Sequence, residues 1–116
     1  MPFNSELSDR IREALSGELD VEEKFMFGGV CYMVNGKMCM GVVGEELMCR
    51  VDPMASADYL ERHGTRPMDF TGKSMKGFVF VNEEGYHRKA DFMFWVNACL
   101  TYNPLAKSSK KKVRKS

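Results

Sequence analysis

The sequence predicts an α+β domain in which helices cover one face of an antiparallel sheet, in two layers. Two turn signals, Asn35-Gly36 and Gly44-Glu45, separate runs of strand-forming residues. Asn-Gly is the strongest short hairpin signal because both central positions of a type I′ turn need positive φ. The segment around Trp95 has instead the apolar spacing of a helix. The order of elements is α-βββ-α-ββ-α, with a five-stranded antiparallel sheet.

The first helix is expected to begin at Asn4 or Ser5, since either side chain can cap it, and to end near Ser16 before Gly17. Its apolar residues recur with helical spacing and share one face. They are Leu7, Ile11, Ala14 and Leu15.

A three-stranded meander is predicted between residues 24 and 51, with two-residue turns that set the register. Val34 is expected opposite Lys37, Tyr32 opposite Cys39, and Met40 opposite both Cys31 and Cys49. Alternation then predicts one wholly apolar face, packed under the helices, and one mixed face. The apolar face holds Cys31, Met33, Met38, Met40, Val42, Leu47, Cys49 and Val51, and the mixed face holds Tyr32, Val34, Lys37, Cys39, Gly41, Val43, Glu46, Met48 and Arg50.

The second half of the chain continues with a helix, two strands and a final helix. Asp52-Pro53 is a helix start, and the helix that follows is expected to end at Gly64. Two extended segments are predicted at residues 68–71 and 75–81 around a Gly72 turn. The final helix is expected to dock through one apolar face and to end at Asn103-Pro104. That face consists of Phe92, Trp95, Val96, Cys99 and Leu100.

Charge divides the chain into a body and a tail. Residues 1–106 carry a net charge of −5, whereas residues 107–116 hold six cations and no acid. We therefore expect a folded domain at residues 1–106 and a disordered basic tail at residues 107–116. A net negative charge on residues 1–106 disfavours binding of nucleic acid to the surface of the folded domain. The tail offers weak, non-specific nucleic-acid contact through Lys110, Lys111, Lys112, Arg114 and Lys115.

The four cysteines are predicted to be buried, reduced and structural. Cys31 and Cys49 are expected about 9–10 Å apart on one face, beyond disulfide reach, while Cys39 points to the other face. There is no CxxC motif and no Cys/His cluster with zinc spacing. We therefore expect no metal site and a cytoplasmic protein with no membrane span.

Two surfaces are candidates for binding. Arg66, Lys73 and Lys76 lie on glycine-flanked loops with few acids between them, and with Arg50 they form a candidate site for an anion or an acidic partner. The alternative is a solvated loop in which Arg66 pairs with Asp69 or Glu61.

The mixed sheet face is the second candidate, as a protein-binding patch at Tyr32, Val34 and Met48, because methionine suits adaptable binding surfaces. The alternative is that these residues belong to the core or are exposed only incidentally. On this reading Met40→Ala should cost roughly 2–4 kcal/mol in stability, and Met48→Ala well under ~1 kcal/mol.

No combination of nucleophile, base and acid emerges from the sequence, and no catalytic residue is assigned. Phe27-Gly28-Gly29 lacks the phosphate-loop pattern, and its glycines are better explained by a bulge or by the close approach of a packed helix. We expect a protein that is not an enzyme and that has no cofactor.

Two blocks of the chain resemble the TfoX/Sxy N-terminal domain family. They are FMFGGVCYMVNGKMCMGV followed by LMCRV, and RPMDFTGKSMKGFVFV followed by a helix containing Trp95, within a match over about residues 5–105. The resemblance implies a fold like that of secretion chaperones and kinship with co-regulators of natural competence. It also implies a stand-alone N-terminal domain, without the helical C-terminal domain of the full-length regulators.

The leading hypothesis is a non-enzymatic regulatory or adaptor domain that binds another protein and acts as a transcription co-regulator. One alternative is a nucleic-acid-associated protein that uses its basic tail. Another is an anion-binding domain that uses the Arg66, Lys73 and Lys76 loops.

Overall fold

The computed structural model describes residues 4–18, 20–26, 28–70 and 73–106, and it describes residues 26, 68–70 and 73–76 through their backbone alone. In chain order the elements are helix α1 (Ser5–Ala14), strands β1 (Val21–Met26), β2 (Gly29–Val34), β3 (Lys37–Val43) and β4 (Glu46–Arg50), a 3₁₀ turn (Pro53–Ala55), helix α2 (Ser56–Tyr59), strands β5 (Thr65–Phe70) and β6 (Lys73–Val81), helices α3 (Glu83–Tyr86) and α4 (Lys89–Tyr102), and a second 3₁₀ turn (Asn103–Leu105).

The sheet is antiparallel, and its strand order is β1-β2-β3-β4-β6-β5. The α+β class is therefore confirmed, but the sheet has six strands where five were expected. The extra strand is β1, because the chain turns at Gly28, whose φ of 77° is left-handed, and does not run straight into β2.

Local signals placed the turns and the long helices correctly. Asn35 and Gly36 have φ values of 56° and 78°, as a type I′ hairpin requires, and Val34 lies opposite Lys37 as predicted. The Asn4 side chain accepts a hydrogen bond from the Leu7 backbone N–H at 3.1 Å and so caps α1. The predicted helix before Gly64 is shorter than expected, since α2 spans a single turn.

A β-bulge in β3 corrects the predicted register between β2 and β3. Tyr32 pairs with Met40 and Met33 pairs with Met38, so Cys39 is an extra residue on its strand. The predicted pairs Tyr32–Cys39 and Cys31–Met40 are therefore wrong, whereas Met40–Cys49 is confirmed. One inserted residue exchanges the faces of everything beyond it, which is why the assignment of β2 side chains was inverted.

The helix side of the sheet carries the larger core. Tyr32 and Val34 belong to it, as do Met40 and Cys49, and Trp95 on α4 is completely buried against them. Cys39 also lies in this core because the bulge turns it toward the helices. The predicted docking face of α4 is confirmed, with Leu100 half-buried and the other members buried: Phe92, Trp95, Val96 and Cys99.

The opposite side of the sheet, which we call the second face, is buried as well. Its cluster consists of Cys31, Met33, Met38, Met48 and Phe80, none more than 5% exposed, with Val43 and Phe78 beside it. Two guanidinium groups lie across its aromatic rings, at 4.5 Å for Arg66 over Phe80 and 5.6 Å for Arg50 over Phe78. Long charged side chains cover apolar surface in this way while their charged ends stay in water.

Close backbone contact explains Gly29. A Cβ atom there would lie 1.9 Å from the Val42 carbonyl oxygen on β3. A close approach was predicted for these glycines, but a neighbouring strand makes it and not a packed helix.

Asn103, at the end of α4, is buried and joins the two ends of the domain. Its side-chain amide donates to the Val34 carbonyl at 3.0 Å and its side-chain oxygen accepts from the Asn35 amide at 3.2 Å. The Lys37 ammonium donates to the Asn103 carbonyl at 3.3 Å. The β2–β3 hairpin is thereby attached to the end of the last helix, because buried polar groups need hydrogen-bond partners and each element supplies partners to the other.

Candidate functional site

A cleft of about 330 Å³ lies between α1 and α4, and we call it the α1–α4 groove. Residues at i, i+3 and i+4 lie side by side on a helix, so each helix presents one short ridge to the cleft. From α1 these residues are Arg10, Glu13 and Ala14, and from α4 they are Lys89, Phe92 and Met93.

Arg10 occupies a fixed position in this groove. Its guanidinium carbon lies 4.3 Å from the centre of the Phe92 ring and 6.0 Å from that of Tyr86, and its Nη1 donates to the Tyr86 carbonyl at 3.3 Å. A guanidinium stacked on a ring and held by a backbone carbonyl keeps other N–H donors for a carboxylate. With exposed Lys89 nearby and Glu13 as the acid, the groove has an apolar floor and a net positive rim.

A second, more polar pocket lies on the other side of α4, with a volume of about 300 Å³. Arg62 stacks over Phe94 at 3.6 Å and reaches the Asp91 carboxylate at 3.7 Å, and His63 contacts Glu84 at 3.0 Å. The guanidinium of this pocket therefore already has a carboxylate partner. The α1–α4 groove is the better candidate, because its guanidinium contacts a ring and a carbonyl in the described contacts, not a carboxylate.

The predicted protein-binding patch does not form as expected. Tyr32 and Val34 do not share a face with Met48, since the bulge places them in the helix-side core, where the Tyr32 hydroxyl donates to the Ser8 carbonyl at 3.1 Å. Met48 lies on the second face but is also completely buried. The assignment of Tyr32 and Val34 to an exposed face is therefore corrected.

The predicted anion site is only partly within the described residues. Arg66 makes a bidentate ion pair with Glu46, at 2.9 Å from Nε and 2.7 Å from Nη2. The side chain of Asp69, one of its two predicted partners, lies outside the described residues, so that pairing stays a prediction. Arg50 lies on the same face, where its Nη1 is 3.5 Å from the Met38 carbonyl. The side chains of Lys73 and Lys76 lie outside the described residues, so their convergence with Arg66 stays a prediction. So does nucleic-acid binding by the tail, which is also outside the described residues.

All four cysteine side chains are buried, as predicted, but they are arranged differently from the prediction. Cys31 and Cys49 lie on opposite faces of the sheet, and the bulge brings Cys39 to Cys99 on α4. The pKa of Cys39 is raised mainly by a hydrogen bond with the Cys99 thiol and secondly by burial. Burial raises the pKa of Cys31 to about 12. Thiols that keep their protons are poor nucleophiles, so these residues act as core side chains.

In the described part of the chain, no group of three or more His, Cys, Asp or Glu side chains has a geometry that holds a metal ion. None of the described helices combines the length and apolarity that a membrane span needs.

Sequence reasoning missed the α1–α4 groove. Ala14 was assigned to the apolar stripe of α1, and Met93 adjoins the docking face of α4, so the apolar floor was visible in the sequence. Arg10 gave no signal, because its role depends on where α4 places Phe92.

Comparison with protein families gives a match that covers most of the described chain. The profile of the TfoX N-terminal domain matches residues 13–102, which include α4 and the whole sheet. Comparison with curated proteins and with solved structures gave no significant match. Since the matched region is more than half of the chain, the chain belongs to the TfoX N-terminal domain family.

Proposed function

We propose that this domain is a non-enzymatic adaptor of a regulatory system, and that it acts by binding another protein in the α1–α4 groove. Membership of a family related to competence regulators supports a regulatory role. Control of transcription is the process in which we expect the adaptor to act. Binding, and not chemistry, is the activity that an apolar floor with a cationic rim supports.

The position of Arg10 is the observation that carries this proposal. Its stacking on Phe92 fixes the guanidinium before any partner arrives, so less side-chain entropy is lost on binding. Lys89 adds a second cation at the same rim, whereas residues 1–106 as a whole carry a net charge of −5. A cationic groove on an acidic body favours an acidic ligand at this place.

The partner is therefore a protein segment that carries an apolar side chain next to a carboxylate. The apolar group would rest on Phe92 and Met93, and the carboxylate would bind Arg10 or Lys89. A groove of about 330 Å³ is at the low end for sites that enclose a small molecule, which run from about 300 to 1,000 Å³. It suits one or two side chains of a larger ligand.

Photo-crosslinking in the native cell tests the proposal. We place the crosslinking amino acid at Glu13, an exposed groove residue, and for comparison at Glu84, which is exposed outside the groove. We expect Glu13 to give a discrete protein adduct that survives nuclease treatment and is absent from Glu84. An adduct lost on nuclease treatment would favour a nucleic-acid role instead.

Charge reversal gives a matched control for the same experiment. Lys89→Glu should remove the adduct, whereas Arg88→Glu, the same reversal one residue away and outside the groove lining, should leave it in place. Both residues are exposed, so neither change disturbs the core. If Lys89→Glu and Arg88→Glu both kept the adduct, or both lost it, the result would contradict binding in the groove.

A further inference from the structure

The two outer strands of the sheet are protected very differently. β5 contains Pro67, which has no N–H to donate, and a bulge between Pro67 and Met68. β1 has the sequence VEEKFM, without proline, and its pairing with β2 is regular from Val21 to Met26. In the part of the chain that the structure describes, β2 is the only strand that pairs with β1. The outer edge of β1 is therefore able to accept another strand.

We propose that β1 pairs antiparallel with β1 of a second copy of this chain, about a two-fold axis at Glu23. The sequence of the strand is complementary to itself in this register. Val21 lies opposite Phe25 of the second copy, and Glu22 lies opposite Lys24. Each of these pairs occurs twice, once on either side of the axis.

Symmetry leaves few other registers. Directly opposed residues in an antiparallel pair share a face, so a two-fold continuous sheet must place one residue opposite itself. An axis at Glu22 would oppose Glu22 to itself and Val21 to Glu23. An axis at Lys24 would oppose Lys24 to itself and Glu23 to Phe25. The axis at Glu23 is therefore the one that joins apolar to apolar and acid to base.

Exposed apolar side chains support the pairing of Val21 with Phe25. Phe25 is 78% exposed and Val21 is 37% exposed, and the register with β2 places both on the helix side of the sheet. Beside Val21 a cleft of about 560 Å³ opens between the end of α1 and β1, and Leu15 also lines it. The Phe25 ring of the second copy, opposite Val21, would enter this cleft.

The unfavourable contact in this arrangement is Glu23 opposite Glu23, since like charges directly across a strand pair repel. Each of these carboxylates already binds Arg12 of its own chain, at 2.7 Å from Nε and 3.1 Å from Nη2. The same guanidinium also binds Asp9, at 2.7 Å from Nη1, so each Glu23 shares its arginine with a second carboxylate. The repulsion across the axis is therefore reduced but not removed. The paired sheet would have twelve strands, six from each copy, with all helices on one side.

Charge exchange between Glu22 and Lys24 tests both the dimer and its register. Sedimentation velocity at low salt, over a wide range of protein concentrations, should show wild type passing from monomer to dimer. Glu22→Lys alone places two Lys–Lys contacts in the dimer, and Lys24→Glu alone places two Glu–Glu contacts. Each should weaken the dimer by roughly 10- to 100-fold, because two attractive contacts become repulsive.

Combining Glu22→Lys and Lys24→Glu, in one chain or in a mixture of two chains, distinguishes the proposed register from a general effect of charge. The double variant Glu22→Lys, Lys24→Glu should dimerise like wild type, and a mixture of the two single variants should form a heterodimer. Glu84→Lys, an exposed charge reversal on α3, serves as the control and should leave the dimer unchanged. A wild-type monomer at every concentration, or a failure of the double variant to recover, would overturn the proposal.

Discussion

Substitution of one methionine by alanine on each face of the sheet tests whether both faces are buried, and not only the face under the helices. Met40 and Met48 are both completely buried, one under the helices and one on the second face. Each substitution by alanine removes three buried heavy atoms, so we expect a loss of about 2–5 kcal/mol at either position. For a chain of this length, a loss of about 3 kcal/mol lowers Tm by about 10 °C. The sequence predicted unequal costs, with Met48 nearly neutral.

The expected cost at Met48 follows from its neighbours. Its terminal methyl group would lie 3.1 Å from a Cβ atom at Gly41, so it packs closely on the backbone of β3. Phe80 belongs to the same cluster, and Arg66 covers that ring from the solvent side. Truncation of Met48 therefore leaves a cavity beneath ordered side chains, and not a surface that water already reaches.

Urea unfolding followed by Trp95 fluorescence measures these costs, because this tryptophan is completely buried in the helix-side core. Met54→Ala is the matched control, since Met54 is 92% exposed and its truncation should change stability by at most about 0.5 kcal/mol. A cost at Met48 as small as that at Met54, with unchanged m-values, would refute the burial of the second face.

Two further predictions concern the close strand contact and the buried thiols. Gly29→Ala should cost about 3 kcal/mol or more in stability, because the added Cβ would meet backbone that has to move. Gly17→Ala should leave stability unchanged or raise it slightly, because no atom lies within 4 Å of the added Cβ. Thermal melts of both variants test this difference, and equal melting temperatures would contradict it. Stability should also fall as pH rises above about 9, because the unfolded state releases the Cys31 proton near its ordinary pKa of 9.0 while the folded state keeps it to about 12. Each such thiol lowers the free energy of unfolding by up to about 1.4 kcal/mol per pH unit. Between about pH 8 and pH 11, the urea midpoint of Cys31→Ala should therefore decline less steeply with pH than that of wild type. Equal declines in the two proteins would argue against this cause.

What the sequence predicted well depends on neighbouring residues alone. The Asn35-Gly36 turn, the Asn4 cap and the apolar face of α4 are each encoded within a few positions. The bulge at Cys39 has no such signal, because it depends on how β3 meets a second strand. A single extra residue then inverted the faces of β2, and with them the proposed binding patch.

The α1–α4 groove was not predicted for a related reason. Arg10 and Phe92 are far apart in the sequence, and their stacking exists only once both helices lie on the sheet. Periodicity shows which face of a helix is buried, but it does not show which residues of two helices meet at the boundary of that face.

The attachment of the β2–β3 hairpin to Asn103 has a consequence for the synthesis of the protein on the ribosome. The helix side of β2, β3 and β4 is covered by α4, and the partner of Val34 and Asn35 is the residue that follows that helix. At about 5–20 residues per second, roughly 50 more residues must be made after β4, which takes about 3–10 s. During that interval the nascent chain exposes an apolar sheet. We therefore expect ribosome-bound chains in which Asn103 has not yet emerged to engage chaperones, and chains in which it has emerged to be released from them.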